Sequence, residues 1–331
     1  MRTLMSVVVM CVGVVSLSAG GKQPNLPLPN PGSTKSRIAY DQTVSSAKPK
    51  LGFGKGRAGT LQKTVPVEGL DFEFALRNDS RFGDPIIQPI VMKWIPAGTF
   101  QMGSPETEEG RNDDETQHTV TLTRGYWMLE TEVTQAMYYA VMGWGRGTAH
   151  FPDPKNPMES VRWGDAYDFC RAIGKNSMLT AFNDLSGFEF RLPTEAEWEY
   201  ACRAGTTTAV YVNYGDMKKD LDAIGWYDVN SRNATRNVRQ KLPNAWGLYD
   251  MSGNVWEWCW DWYDTYPTGS VTDPTGPSPS DRLEFRVLRG GCWSIDAWAA
   301  RSAHRGRSQP EANPNDWNSW HGFRPVLSRV R

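Results

Sequence analysis

Apolar side chains recur at helical spacing in three short segments of the chain. In the clearest segment, Thr194 can cap the first turn, Glu197 completes a capping box three positions later, and Gly205 ends the helix. The same spacing predicts two further helices, over residues 164–173 and 134–142, each of which is followed by a glycine. All three predicted helices are short, so the pattern excludes a long-helix architecture.

Four short runs of β-branched or apolar residues lie between turn residues and predict strands. They cover residues 91–95, 119–123, 126–129 and 286–289. The chain also has 31 glycines, 22 prolines and 15 tryptophans, a composition typical of a loop-rich fold with many aromatic anchors. Aromatic packing, side-chain hydrogen bonds or ions must hold such loops in order. The sequence therefore predicts a loop-rich α+β fold.

The N-terminal segment has the pattern of a secretory signal. Arg2 precedes an apolar run of about 14 residues, which ends in small residues and is shorter than the roughly 20 residues that a membrane-spanning helix needs. We therefore expect residues 1–20 to be a signal peptide and the protein to be exported to the periplasm, the cell surface or the outside. Residues 21–69, rich in Pro, Gly, Ser and Lys, predict a flexible linker, and residues 70–331 predict a single domain. No later stretch is apolar enough to predict a membrane span.

Charge and cysteine content exclude several kinds of partner and site. The chain has 36 Lys and Arg against 37 Asp and Glu, so it carries no basic excess and nucleic acid is not an expected partner. Its four histidines are scattered and no Cys-x-x-Cys occurs, so we expect no zinc site of the usual spacing. Removal of the signal peptide leaves Cys170, Cys202, Cys259 and Cys292. Export allows disulfides among them, but the spacing leaves their pairing open.

Six motifs occur in a fixed order between about Pro89 and Ser328. They are IPAGTFQMGS from Ile95, EVTQ from Glu132, RLPTEAEWEYACRAG from Arg191, GLYDMSGNVWEW from Gly247, RVLRGGCW from Arg286, and GFR from Gly322. In order and spacing, this series resembles the formylglycine-generating enzyme (sulfatase-modifying factor) family. The resemblance implies that the domain has that family's variant of the C-type-lectin-like fold.

The resemblance does not extend to the family's redox site. Members with the family activity oxidise a cysteine of a sulfatase peptide to formylglycine, and a pair of cysteines shortly after the GGSW-type motif binds the copper. In this sequence no cysteine occurs from Trp293 to Arg331. Because thiolates are the soft ligands that hold Cu(I), we expect neither copper binding nor formylglycine-generating activity.

Cys292 stands where the family usually has a serine, on the floor of the peptide groove. One interpretation is a displaced reactive thiol, whose pKa is lowered by Arg289, Arg301 or Arg305. The other is a compact buried residue that packs where a serine would fit. We favour the compact buried residue. If the thiol is reactive instead, Cys292 is the candidate catalytic residue.

The resemblance also implies a structural calcium site. Asp250, the backbone carbonyls of Gly253 and Val255, and Glu257 match the ligands of that site in the family. Two carboxylates on either side of a tight turn, together with turn carbonyls, form the oxygen cage that calcium prefers. The alternative is that Glu257 pairs with an arginine and Asp250 caps a turn. We expect calcium to bind.

Two other segments could be mistaken for calcium sites. Asn230 and Ser231 resemble the start of a second calcium site of the family, but the segment up to Val238 is short and lacks the matching aspartate. We therefore expect this second site to be incomplete. The acidic run at residues 106–115 lacks the ligand spacing of an EF-hand and is interpreted as a solvated charge run.

Three functions remain open. The favoured one is a secreted binding or structural module with a groove for a peptide, protein or glycan. That groove is expected to be lined by Trp256, Trp293, Trp298, Arg301 and Arg305. The alternative is an oxidoreductase of the sulfatase-modifying type that acts on protein thiols through Cys292. A third is a domain of a larger envelope assembly, tethered by the linker. The sequence fixes neither the ligand nor the oligomeric state.

Overall fold

The structure, a computed structural model, describes six stretches of the chain: residues 66–76, 88–143, 149–175, 185–280, 283–311 and 320–330. All of the described residues fall in one compact unit. The predicted signal peptide and the predicted linker up to residue 65 lie outside them, so these two expectations stay predictions. In the described stretches, no helix has the length and apolar character needed to cross a membrane.

Short strands and short helices alternate along the chain. The strands are β1 (Phe72–Leu76), β2 (Gln88–Ile95), β3 (Gly98–Met102), β4 (His118–Leu122), β5 (Tyr126–Leu129), β6 (Phe188–Arg191), β7 (Trp256–Trp262), β8 (Val271–Thr272), β9 (Arg286–Arg289), β10 (Gly306–Ser308), β11 (His321–Gly322) and β12 (Val326–Arg329). The helices are α1 (Gln135–Met142), α2 (Trp163–Lys175), α3 (Glu195–Arg203) and α4 (Met217–Ile224), with a 3-10 helix at Ala297–Ala300. The predicted loop-rich α+β fold is confirmed, and each predicted helix and strand is present.

The strands form three sheets. The largest has the order β1-β2-β5-β12-β6, the second β10-β9-β7-β11, and the third β3-β4-β8. In the largest sheet the C-terminal strand is an interior strand, because Leu327 of β12 lies opposite Trp127 of β5 on one side and Phe190 of β6 on the other. The end of the domain is therefore fixed by strands from its first half.

Helix α3 begins with the predicted capping box. The Thr194 hydroxyl accepts a hydrogen bond from the Glu197 N–H (3.2 Å), and the Glu197 carboxylate accepts one from the Thr194 N–H (2.9 Å). The helix ends at Ala204, which adopts the left-handed conformation (φ 44°). Every residue of α3 is buried, including its glutamates at 195, 197 and 199. Buried carboxylates need partners, and these partners shape the rest of the fold.

Two clusters of buried apolar side chains make up the core. The first combines residues of the largest sheet with helices α1 and α2, and includes Trp127 and Phe169. The second surrounds helix α3 and includes Trp198 and Tyr227, both at most 1% exposed. Helix α3 thus contributes its apolar face to one core cluster while its carboxylates reach outward to other segments.

Four buried arginines, all from the chain after residue 288, pair with four buried glutamates from earlier segments. The pairs are Arg289–Glu199, Arg301–Glu115 (2.7 Å), Arg305–Glu195 (2.7 Å) and Arg324–Glu257 (2.7 Å). Each of these side chains is at most 4% exposed. Because removing one partner leaves an uncompensated charge in the interior, such pairs fix which segments can pack together.

We predict that Glu199→Gln lowers the free energy of unfolding by about 3–5 kcal/mol, because it removes the carboxylate that the buried guanidinium groups of Arg289 and Arg203 share. Denaturation by urea measures this change. The double variant Glu199→Gln/Arg289→Met should recover part of the loss. Glu68→Gln is the matched control: Glu68 pairs with Arg329 at the surface, where the side chains are 49% and 58% exposed, so it should cost less than about 1 kcal/mol. Equal costs for the two single variants would contradict the prediction.

Candidate functional site

The loop after β9 carries Cys292 and Trp293, and two glycines set its path. Gly290 and Gly291 have φ angles of +94° and +76°, which are favourable for glycine alone. A Cβ on Gly291 would also lie 2.8 Å from the Ala299 carbonyl oxygen, so the 3-10 helix packs directly on this loop. The Trp293 N–H donates to the Asn254 carbonyl (2.9 Å), which ties the loop to the turn before β7.

Cys292 lies in an environment that keeps its thiol protonated. The residue is 1% exposed, and burial raises its pKa above the ordinary range, against weaker opposing hydrogen bonds from Ser294 and Trp256. The sulfur is 3.4 Å from the Ser294 hydroxyl. The guanidinium groups considered as activators are tied to glutamates in the pairs described above. The idea of a thiol activated by arginines is therefore corrected: the geometry fits a compact buried residue.

All four cysteines of the described chain are free and buried. Burial raises the pKa of Cys202 to about 11 and moves the pKa of Cys170 and Cys259 in the same direction. The sequence leaves the disulfide pairing open, and in this structure the four cysteines form no disulfide with one another but pack in the core as separate thiols.

We predict that a maleimide reagent at neutral pH labels Cys292 and the other three core cysteines slowly in the native protein and rapidly in urea. The thiolate is the reacting species, and burial both raises the pKa and blocks access. Mass spectrometry of the labelled peptides measures the rates. Fast native labelling of Cys292, increasing little between pH 6 and pH 8, would revive the reactive interpretation.

Two of the predicted groove residues present part of their rings to solvent. Trp293 and Trp298 are half-buried, and the Phe151 ring meets the Trp293 ring edge-on at 5.2 Å. The Trp298 ring covers Gly110, where an added Cβ would come within 2.5 Å of it. We call the half-buried rings of Phe151, Trp293 and Trp298, of which the first two are in contact, the aromatic surface. Phe151 comes from a loop far away in the sequence, so spacing could not reveal it.

Trp256, the third predicted tryptophan, lies behind this loop rather than in the open. It is 6% exposed, and its ring centre is 5.7 Å from that of His304. Burial lowers the pKa of His304 to about 4, helped by the nearby positive charge of Arg301. Trp256 and His304 are thus a neutral, packed pair, and Trp256 supports the loop.

The two arginines predicted to line the groove do not do so, and this prediction is wrong. Arg301 donates to Glu108 (2.7 Å), to both oxygens of Glu115 (2.7 and 2.8 Å) and to the Gly110 carbonyl (2.6 Å). Arg305 donates to both oxygens of Glu195 (2.7 and 2.9 Å). Both guanidinium groups bind glutamate carboxylates inside the protein, so neither is available to a ligand.

The contacts of Arg301 also correct the interpretation of the acidic run at 106–115. Glu115 is fully buried and accepts a further hydrogen bond from the Ser104 hydroxyl (2.7 Å). Its hydrogen bonds with Arg301 and Ser104 outweigh desolvation and lower its pKa. Glu106 and Glu109 are exposed as expected. The run is therefore a loop that one arginine fastens to the domain, rather than a wholly solvated segment.

At the predicted calcium site, the two carboxylates have different environments. Glu257 accepts hydrogen bonds from Arg324 (2.7 Å) and from the Trp198 indole (2.7 Å), so it matches the arginine-paired alternative. Asp250 accepts from the Arg239 N–H through one oxygen (2.7 Å), whereas its other oxygen is buried and has no partner in the part of the chain that the structure describes. Glu257 is therefore withdrawn from the ligand set, because its oxygens are taken, and Asp250 keeps an open ligand position.

A third buried carboxylate lies close to these two. Glu132 accepts from the Asn254 amide (2.8 Å) and the Val255 N–H (3.2 Å). Burial, reinforced by Asp250 and then Glu257, raises its pKa well above normal, and burial raises the pKa of Asp250 to about 6. Three buried carboxylates thus surround one buried guanidinium, Arg324. Among the described residues, no three His, Cys, Asp or Glu side chains converge as a metal cluster, so an ion here would depend on backbone carbonyls.

The predicted second calcium site is filled by protein groups. The Asn230 carboxamide oxygen accepts from the Tyr227 N–H (3.0 Å), and its amide nitrogen donates to Asp222 (3.0 Å). The Ser231 carbonyl accepts from the Arg236 guanidinium (2.7 Å). Both residues are thus engaged in hydrogen bonds within the protein, and the incompleteness of this site stays a prediction.

Comparison with known proteins places these features in a family. Residues 87–329 match the profile of the sulfatase-modifying factor enzyme 1-like domain. The structure resembles that of Treponema denticola variable protein 1, with a TM-score of 0.62, 31% identity, and coverage of 80% of this chain and 100% of that one.

Two curated relatives match shorter stretches. The formylglycine-generating enzyme of Streptomyces coelicolor is 35% identical over 188 residues, 52% of each chain. The serine/threonine-protein kinase pkn1 of Chlamydia pneumoniae is 38% identical over 172 residues, 51% of this chain and 24% of the kinase. The chain therefore spans between a quarter and about half of the length of these two relatives.

Proposed function

The chain belongs to the sulfatase-modifying factor enzyme 1-like domain family, and from this premise we propose that it is an exported, non-oxidase member that binds a peptide or glycan on the aromatic surface. The proposal of export rests on the apolar run near the N terminus. The proposal of a binding role rests on the absence of cysteines after Trp293 and on the aromatic surface.

The observation that carries the proposal is the absence of thiols after Trp293. No cysteine occurs between Trp293 and Arg331, and Cys292, the nearest one, is buried with a raised pKa. Cu(I) needs soft thiolate ligands. A buried, protonated thiol at a single position does not supply them, so the chain has no ligand pair for the family's oxidation chemistry.

The aromatic surface supports a binding role. Half-exposed tryptophans offer large apolar ring faces, which are enriched at recognition sites. The Gly290-Gly291 turn fixes the loop that carries Trp293, and the 3-10 helix that packs on this loop carries Trp298. Phe151 packs against the Trp293 ring. A ligand meeting this preordered surface loses less entropy than one that must order a free loop.

We predict that the protein, incubated with copper and a Cys-x-Pro-x-Arg peptide, leaves the peptide mass unchanged, because no thiolate pair holds the metal.

On peptide and glycan arrays, Trp293→Ala and Trp298→Ala should each weaken binding about tenfold. Tyr214→Ala removes a ring that is 54% exposed on another segment and should change nothing. Formation of an aldehyde would refute the loss of oxidase chemistry, and array binding that ignores both tryptophans would refute the aromatic surface.

The proposal includes a structural calcium ion at Asp250, with the backbone carbonyls of Gly253 and Val255. Its support is the buried, unpartnered oxygen of Asp250 and the surplus of buried carboxylates over guanidinium groups at this place. Calcium takes six to eight oxygen ligands and accepts carbonyls and water alongside carboxylates. The ion would balance charge and hold the turn before β7.

We predict that EDTA lowers the melting temperature of the wild type by several degrees and that added calcium restores it, because the ion binds the folded state alone. Asp250→Ala should abolish the response. Glu257→Gln should lower the melting temperature yet keep the response, since Glu257 serves Arg324 and not the metal. If EDTA leaves the melting temperature of the wild type unchanged, the calcium site is refuted, and protons rather than calcium neutralise these carboxylates.

A further inference from the structure

Strand β6 is the edge strand of the largest sheet in the described part of the chain. It pairs with β12 on one side only. A groove of 810 Å³ runs beside it and is lined by Phe188, Glu189, Phe190 and Arg191, four consecutive residues. A groove on one face of a strand would touch alternate residues. Contact with all four is what an open strand edge gives.

The hydrogen-bond register shows which backbone groups point to the open edge. The Val330 N–H donates to the Gly187 carbonyl (2.9 Å), and Ser328 lies opposite Glu189. In an antiparallel pair, residues alternate between exchanging hydrogen bonds and facing away. Phe188 and Phe190 therefore direct their backbone groups away from β12. The Phe188 N–H donates to the Leu185 carbonyl. Within the described stretches, the Phe190 N–H and C=O and the Phe188 C=O therefore remain for a further strand.

The opposite wall of the groove is aromatic. Tyr167 of helix α2 and Trp260 of β7 line it, with their ring centres 6.0 Å apart. Trp163 stacks on Tyr167 at 5.4 Å with an interplanar angle of 9°, and its indole donates to the Cys259 carbonyl (2.8 Å). These half-buried rings pack on one another and line the groove together with the sheet edge.

Two guanidinium groups at this wall have no carboxylate within ion-pair distance among the described residues. Arg171 is exposed and lies 5.7 Å from the centre of the Tyr167 ring. Arg286 is 9% exposed and sandwiched between Trp163 (3.9 Å) and Trp262 (3.7 Å). It donates to the Trp260 carbonyl, and its Nε is buried without a partner.

The other charged residues at the groove leave this cationic character in place. Arg191 forms an ion pair with Glu197 (2.6 Å). Glu189 is exposed on the strand itself, on the opposite face from the Phe188 and Phe190 rings because side chains alternate. Tyr167, Trp260 and Arg171 thus offer apolar rings and a guanidinium group that has no ion-pair partner among the described residues.

We propose that this groove binds an extended peptide of a partner protein, which pairs with β6 as a sixth strand of the largest sheet and places an acidic side chain against Arg171. The open backbone groups of Phe190 require an extended chain, since a strand edge is completed by another strand. The rings receive its apolar side chains, and the guanidinium selects a carboxylate. This site is separate from the aromatic surface and does not rest on the proposed function.

The test is selection of a phage-displayed random heptapeptide library on the full chain, carried out in parallel on wild type, Trp293→Ala and Arg171→Glu. The proposal expects heptapeptides rich in Asp or Glu to be enriched on the wild type and on Trp293→Ala, and to bind Arg171→Glu at least tenfold more weakly. Lys155→Glu makes the same charge change at an exposed position on another loop and should leave binding unchanged.

Backbone pairing is tested on an enriched heptapeptide. N-methylation of alternate amides in one register should abolish binding, and binding should slow hydrogen exchange of the Phe190 amide, because that N–H becomes paired. Enrichment of no peptide, enrichment that ignores Arg171→Glu, or equal binding of both N-methylated registers would overturn the proposal. Binding of glycans from an array at this groove without protection of Phe190 would assign it to sugars instead.

Discussion

The structure depends on carboxylates that are buried and must be neutralised where they lie. A domain with strands of two to eight residues cannot hold its loops through sheet hydrogen bonds alone. Arg289, Arg301, Arg305 and Arg324 each cross from the last part of the chain to a glutamate in an earlier segment. Each pair is costly to bury and costlier to break. The pairs therefore select one arrangement of the loops more than they add net stability.

Helix α3 is the centre of this arrangement. Each of its three glutamates has an arginine partner. Glu195 binds Arg305 and Glu197 binds Arg191 and caps the helix, while Glu199 binds both Arg289 and Arg203. The acidic stretch of this motif is thus a set of internal anchors that needs no catalytic explanation. Because these anchors do not involve a metal or a reactive thiol, the packing of the scaffold around them does not depend on redox chemistry.

Local signals predicted local structure, and contacts between distant residues were missed. The apolar run at 126–129 matched β5 at both ends, and the Thr194 capping box fixed the start of α3. Strand β6, with Glu189 and Arg191 in four residues, was too short and too charged to be recognised. Helix α4 was missed although Asp216 caps it by accepting from the Lys219 N–H (3.0 Å), a signal that the sequence does contain. Arg301 and Arg305 were assigned to the groove because nothing in spacing connects them to Glu115 and Glu195. Phe151 was missed for the same reason.

The proposed function is that of a family scaffold without the redox chemistry, which binds a ligand on its surface. Its central claim is that this chain cannot hold a soft redox ion, and a titration of the reduced, folded protein with Cu(I) against a chromophoric competitor tests it most directly. The account predicts that the competitor keeps the metal, with the same curve for wild type and Cys292→Ser. Stoichiometric transfer of Cu(I) to the wild type, lost in Cys292→Ser, would contradict it.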